Sequence, residues 1–203
     1  MKIICVGRNY ADHARELKND VPAEPVIFMK PKSALVLPDK PVYYPEFTDD
    51  LHYECEVVVR INKNGKHIQE KFASKYYSEV TLGIDFTARD VQREQQKKGL
   101  PWEIAKGFDN SAAVGTFRPV SEAGNIGELP FQLKLNGETV QDGNTRDMIF
   151  SVDTIIAYVS KYFTLNIGDL LFTGTPAGVG AVNVQDHLEG YLAGNKVLDV
   201  AIR

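Results

Sequence analysis

Residues 51–61 read "LHYECEVVVRI". The stretch is rich in β-branched and aromatic residues, which predicts a β-strand running on to residue 62. Side chains on a strand alternate between faces. The odd positions Leu51, Tyr53, Cys55, Val57, Val59 and Ile61 form an unbroken apolar face. The even positions begin His52, Glu54, Glu56 and then turn to Val58 and Arg60. Two carboxylates two residues apart lie roughly 6.6 Å from each other along a strand and point the same way. They read either as a solvated outer face or as a pair converging on one cation, because burying both without a counter-charge forces protonation. The polar patch is local, since Val58 ends it at once.

The neighbouring segments extend the β pattern. "NKNGK" after the strand is a hairpin signal centred on Asn64-Gly65, and "FQLKLNGETVQ" is a second hairpin turning at Asn136-Gly137. "HLEGYLAGNKVLDVAIR" is a third hairpin-like pair, and "KIICV", "PVIFMKP", "ALVLP" and "SEVTLGIDFTA" are further strands. Three helices are predicted. "RNYADHARELK" has Asn9 as its N-cap, and "TARDVQREQQKKG" has a Thr87-x-x-Asp90 capping pattern with Gly99 at its end. "SVDTIIAYVSKYF" places Val152, Ile155, Ile156, Val159 and Phe163 on one face. Strands joined by hairpins, without regular βαβ alternation, predict an α+β, mostly antiparallel β fold with added helices. "TGTPAGVG" lacks both the Lys-Ser/Thr of a P-loop and the spacing of a dinucleotide fingerprint.

At 203 residues the chain suits one domain with a sizeable core. Its net charge of −4, without long basic or acidic runs, gives no electrostatic reason to expect nucleic acid or an anionic membrane as partner. No apolar run approaches a membrane span, and the N-terminal apolar run is too short for a signal peptide's core. Cys5 and Cys55 sit in apolar runs and read as core residues, which makes a reducing cytoplasm the expected location.

A further acid, Asp85, interrupts the apolar "TLGIDF". Two Glu and one Asp, without a His–Cys constellation, would make an oxygen-rich site suited to Mg²⁺, Mn²⁺ or Ca²⁺ rather than Zn²⁺. His52 fits a supporting role better than a ligand's. In "NYADHARE", His13 and Glu16 stand three apart, which puts them on one face of a helix. A carboxylate beside an imidazole suits a general base acting on water, although spacing alone favours a solvated face with an incidental pair.

Taken in order, "CVGRNYADHARE", "LHYECE", "GIDFTARDVQREQQKKGLPWEIAKGFD" and "GDLLFTGTPAGVG" resemble the fumarylacetoacetate hydrolase family. The resemblance covers nearly the whole chain and is to the short, single-domain members. It implies one catalytic domain over residues 1–203, with residues 9–18 as a mobile lid, folded as a mixed β-roll or β-sandwich with peripheral helices. It implies Mg²⁺ or Mn²⁺ held by Glu54, Glu56 and Asp85, and Lys106 facing the substrate. His13 and Glu16 would be the water-activating pair, and Arg89, Gln92 and Thr175 the substrate contacts. The activity implied is on small 2-oxo acids through a metal-stabilised enolate, by acylpyruvate hydrolysis or oxaloacetate decarboxylation. Isomerisation of 2-hydroxydiene dioates or tautomerisation of oxaloacetate is the alternative from the same site. A non-catalytic, metal-stabilised β-domain for binding is a further one. A homodimer is implied. Ala112-Ala113 departs from the proline many relatives carry, which leaves that loop's shape open.

Overall fold

The computed structural model describes residues 1–11, 21–38 and 40–203. The Leu51–Ile61 stretch forms two strands, Leu51–Tyr53 and Cys55–Ile61, with the chain breaking at Glu54. Its neighbour breaks likewise into Tyr77–Asp85 and Thr87–Ala88. Cys55–Ile61 pairs antiparallel with Tyr77–Asp85 in an eight-stranded sheet. Leu51–Tyr53 pairs with Thr87–Ala88, and also with Gly180–Ala181, in a separate three-stranded sheet. The predicted single strand is therefore a strand that changes sheets. The apolar odd face survives the change, because Leu51, Tyr53, Cys55, Val57, Val59 and Ile61 are all buried in one core. Periodicity carries no mark of the break, since a bend at Glu54 keeps the alternation intact.

The large sheet runs Val26–Lys30, Ile3–Gly7, Leu170–Phe172, Cys55–Ile61, Tyr77–Asp85, Ala112–Val114, Leu35–Val36, with Arg118–Pro119 added beside Tyr77–Asp85. Most pairings are antiparallel, as expected. Two are parallel: Ile3–Gly7 with Leu170–Phe172, and Leu35–Val36 with Ala112–Val114. The Ala112-Ala113 segment is thus a strand between Tyr77–Asp85 and the edge strand Leu35–Val36 rather than a loop. A four-stranded antiparallel sheet runs Glu138–Asn144, Pro130–Leu135, His187–Leu192, Asn195–Ala201. It packs on the larger one, so that Val57, Leu82, Leu133, Leu188 and Leu198 share the main core. Val58, on the other face of its strand, packs with Ile3, Cys5, Leu170 and Phe172 in a second core. The centre of the large sheet is therefore buried on both faces, and both cysteines are free and buried.

The two Asn-Gly signals part company. Asn136 and Gly137 both take positive φ, 51° and 90°, in a two-residue turn joining Pro130–Leu135 to Glu138–Asn144. Asn64 and Gly65 do not take positive φ, and Gly65 forms a bridge with Leu165 instead. The strands flanking them do pair, but through a longer connection containing a 3₁₀ helix, Glu70–Tyr76. The helix Arg89–Lys98 ends at Gly99 as predicted, in a left-handed cap with φ 63°. It starts from Ala88, because Thr87 turns its hydroxyl to the Asp85 carbonyl and Asp90 receives Thr48 Oγ1 instead. The helix Val152–Tyr162 is capped by Ser151 and buries Val152, Ile155, Ile156 and Val159. Phe163 lies beyond its end and is exposed. Among the described residues, no helix is long and apolar enough to cross a membrane.

Candidate metal centre

The strand breaks at Glu54 and Phe86 lie side by side. Asp85 N–H donates to the Glu54 carbonyl at 2.9 Å, so the two strands leave the large sheet together. Next along, the Cys55 N–H finds the Gln141 side chain at 2.9 Å. That exchange of a ladder bond for a side-chain bond turns Glu54, Glu56 and Asp85 toward one point. Their carboxylate oxygens lie within 4.8 Å of one another, and all three residues are buried.

Among the described residues, three cations contact two of the three acids, Glu54 and Asp85. Arg89 Nη2 donates to Glu54 Oε1 at 2.6 Å. Lys106 Nζ bridges Glu54 Oε2 at 2.8 Å and Asp85 Oδ2 at 2.9 Å. Lys30 Nζ lies 2.6 Å from Asp85 Oδ1. The Lys30 protons are spent elsewhere, on the carbonyls of Phe86, Lys106 and Ser111. Asp85 Oδ1 is therefore close to a positive charge but has no donor in line, and it is buried without a hydrogen bond. Glu56 receives the Gly174 N–H at 2.7 Å. Burial pushes its carboxyl well above the usual range, and the charges of Asp85 and Glu54 add to the push, against smaller opposing effects from Gly174 and Lys106. An oxygen-only donor set, one orphaned acceptor and an acid strained toward protonation together suit a hard divalent cation. Glu54, Glu56 and Asp85 would hold it.

The loop "TGTP" contributes backbone. Gly174 has φ 97°, and a Cβ there would come within 2.7 Å of the Asn9 Cβ, so glycine alone lets this N–H reach Glu56. Thr175 lines the cleft, but its hydroxyl donates to the Cys55 carbonyl and accepts from Gln141. Arg89 and Gln92 share a helix face and are bonded to each other, Arg89 Nη1 to Gln92 Oε1 at 2.7 Å. His52 stands behind Arg89, bonded to Asp50, and is not part of the acid cluster. Its imidazole is held below the usual value by burial and by Arg89, against the pull of Asp50 and Glu54.

Lys106 closes the short helix Glu103–Lys106 with its side chain buried. Burial alone would lower its pKa, but Asp85 and Glu54 outweigh that and raise it, keeping the ammonium charged. Phe28 and Trp102 wall the cleft with ring centres 5.6 Å apart and planes tilted by 58°, and Lys106 Nζ lies 5.3 Å from the Phe28 ring centre. Arg8 and Gln96 also line the cleft.

Of the nine residues singled out in the sequence, seven gather here: Glu54, Glu56, Asp85, Arg89, Gln92, Lys106 and Thr175. His13 and Glu16, and most of the predicted lid, lie outside the described residues. The helix that Asn9 is predicted to cap also lies almost wholly outside the described residues, but Asn9 itself is described. Its Oδ1 accepts the Phe150 N–H and its Nδ2 donates to the carbonyls of Phe150 and Thr173. Sequence reasoning missed Lys30, Gln141 and Arg8. A lysine closing the apolar run "VIFM" was the one available signal for Lys30.

A model of the fumarylacetoacetate (FAA) hydrolase C-terminal family matches residues 2–202. Oxaloacetate tautomerase FAHD1, mitochondrial, from Rattus norvegicus is 46% identical over 192 residues, covering 95% of this chain and 87% of that protein. Among solved structures, fumarylpyruvate hydrolase from Pseudomonas aeruginosa in complex with Mn²⁺ and pyruvate is 39% identical with a TM-score of 0.94. That match covers 100% of this chain and 89% of the other. The 2-hydroxyhepta-2,4-diene-1,7-dioate isomerase of Mycobacterium marinum is 33% identical with a TM-score of 0.86, covering 99% and 73%.

Proposed function

The chain belongs to the fumarylacetoacetate hydrolase family, and on that footing we propose that it is a divalent-metal-dependent enzyme acting on small 2-oxo acids, with oxaloacetate as the leading substrate. The observation that carries the reading is the buried Glu54–Glu56–Asp85 cluster at the floor of a cleft also lined by Lys106, Arg89 and Gln92. Bound Mg²⁺ or Mn²⁺ would act as a Lewis acid on the carboxylate and keto oxygens of a 2-oxo acid.

The chain's own groups would do the rest. Lys106, kept charged by Asp85 and Glu54, is a fixed donor for negative charge growing on the keto oxygen. Arg89 and Gln92, locked to each other, would orient the substrate. Phe28 and Trp102 give the cleft one aromatic, apolar wall. Keto–enol interconversion asks no more than this and a proton carrier at C3. Loss of CO₂ from oxaloacetate leaves the same electron pair to be stabilised.

The tautomerases at 46% identity support oxaloacetate as the first acid to assay. Hydrolysis of acylpyruvates is the second reading, favoured by the His13-x-x-Glu16 pair in the sequence and by the likeness to a fumarylpyruvate hydrolase. It would require that pair to activate a water that attacks the distal carbonyl. A cytoplasmic homodimer belongs to the same proposal, and the free, buried cysteines support a reducing compartment.

The test is oxaloacetate enol–keto conversion, plus pyruvate release from oxaloacetate and acetylpyruvate, with Mg²⁺, with Mn²⁺ and with chelator. Activity is expected only with metal and is lost in Glu54→Ala and Glu56→Ala. Undiminished rates after chelation, or in those variants, overturn the reading. His13→Ala is expected to cut acylpyruvate hydrolysis by roughly 10²–10⁴-fold and to leave metal affinity unchanged.

A further inference from the structure

Two arginines line the cleft, and they are differently employed. Arg89 is committed within the protein: Nη2 to Glu54, Nη1 to Gln92 and Nε toward His52. Arg8 is half-buried, lines the same cleft, and has no carboxylate partner among the described residues. A guanidinium has five donors and cannot lose its charge, so a half-buried one without a carboxylate is an anion site in waiting.

The backbone holds Arg8 there at a cost. Its φ is 61°, in the left-handed region that non-glycine residues seldom enter. Such a conformation persists only where the surroundings dictate it. They do so here on the next residue. Asn9 makes three side-chain hydrogen bonds, to the Phe150 N–H and to the carbonyls of Phe150 and Thr173. Its own carbonyl takes the Ile149 N–H at 2.8 Å. On the other side, Ile3–Gly7 is fixed in the large sheet between two neighbours. The chain must turn within one residue, and that residue carries the charge into the cleft.

We propose that Arg8 is the specificity residue of this site, binding a second carboxylate at the far end of the substrate, so that the enzyme selects dianionic over monoanionic 2-oxo acids. The proposal rests on the function given above. With its carboxylate and keto oxygens at the acid cluster, a 2-oxo acid directs its remaining carbons away from the floor. A carboxylate there meets Arg8, whereas the methyl of acetylpyruvate leaves the guanidinium to water. Arg89 is poorly placed for the same task, because a second anion would have to compete with Glu54 at 2.6 Å.

The test compares kcat/KM for oxaloacetate and fumarylpyruvate with that for acetylpyruvate in wild type, Arg8→Ala, Arg8→Gly and Arg8→Lys. Losing a charge-assisted hydrogen-bonded pair is expected to lower kcat/KM for the two dianions by roughly 10- to 100-fold, mainly through KM. Acetylpyruvate should change less than about threefold, and Arg8→Lys should recover part of the loss for the dianions alone. Arg8→Gly relieves the backbone and removes the charge, so it separates the two roles. Equal losses on all three substrates, or wild-type dianion values in Arg8→Gly, overturn the proposal. Should wild type turn over none of these acids, the proposed activity fails by itself, and Arg8 is then judged by calorimetry with Mn²⁺. Tighter binding of 2-oxoglutarate than of pyruvate, lost in Arg8→Gly, upholds its role, and equal binding of the two refutes it.

Discussion

Two clusters of charge in this molecule look alike on distance and differ in everything else. At the cleft floor, Lys30, Lys106 and Arg89 meet Glu54 and Asp85 at 2.6–2.9 Å, with every side chain 8% exposed or less. On the last hairpin, Lys196 meets Glu189 and Asp199, and His187 meets Asp199, all at 2.6 Å, but with Lys196 and Asp199 42% exposed. Water competes for the second set and is excluded from the first. Breaking a buried pair strands a charge, while breaking an exposed one returns it to solvent. Separation alone therefore says little about what an ion pair is worth, and burial decides it.

The comparison can be broken most severely at Lys30. Lys30→Met removes the charge beside Asp85 and the donor shared by three backbone carbonyls. A loss of about 3–5 kcal/mol in urea unfolding is expected for one partner of a buried pair. A loss under about 1 kcal/mol would place Lys30 among the surface-like pairs.

Next comes the metal. A ligand present at one hundred times its dissociation constant stabilises a fold by about 2.7 kcal/mol. Wild type should show a rise in melting temperature of that origin with Mn²⁺, and Glu56→Gln should not. The metal-free variant should also be more stable than metal-free wild type at neutral pH. The sign follows from Glu56, whose folded-state pKa is raised well above 4.5 by burial and by Asp85 and Glu54. A raised acid contributes its stability below the unfolded-state value and loses it as pH climbs through the folded one. Glutamine abolishes that loss. A metal-free Glu56→Gln protein less stable than wild type at neutral pH would contradict the strained-acid account.

The smallest effect is expected at Lys196→Ala. Two short ion pairs disappear, yet with 42% of the side chain exposed, solvent screening leaves a change within roughly 0.5 kcal/mol. A larger loss would mean that the surface cluster acts as a network.

Much of the fold and of the floor was legible in the sequence because both are written in alternation. The same period that put Leu51, Tyr53 and Cys55 inside put Glu54 and Glu56 together, and Asp85 stood out as an acid among apolar residues. What stayed hidden is what period two cannot encode. The change of sheet at Glu54 preserves the alternation, so one long strand and two short ones look identical. Asn64-Gly65 and Asn136-Gly137 are the same dipeptide. The second reads true because its strands end on either side of it, whereas Gly65 is drawn to Leu165. Lys30, Gln141 and Arg8 act through residues distant along the chain, and no local pattern announces such partners. Lys30 reaches a carboxylate 55 residues away by closing the strand Val26–Lys30, which the sequence predicted for its own apolar run.

The hydrogen bond from Gly174 to Glu56 joins positions 118 residues apart. Contacts of that separation form only after the intervening chain has closed, which makes them late events in folding. The acid cluster is thus a property of the completed molecule, assembled from segments around residues 30, 54, 85, 106 and 174. A cation arriving during folding would meet scattered carboxylates without a shared centre. Its influence falls on the way out: it would lengthen the lifetime of the native state by slowing escape from it, and leave the rate of reaching that state alone.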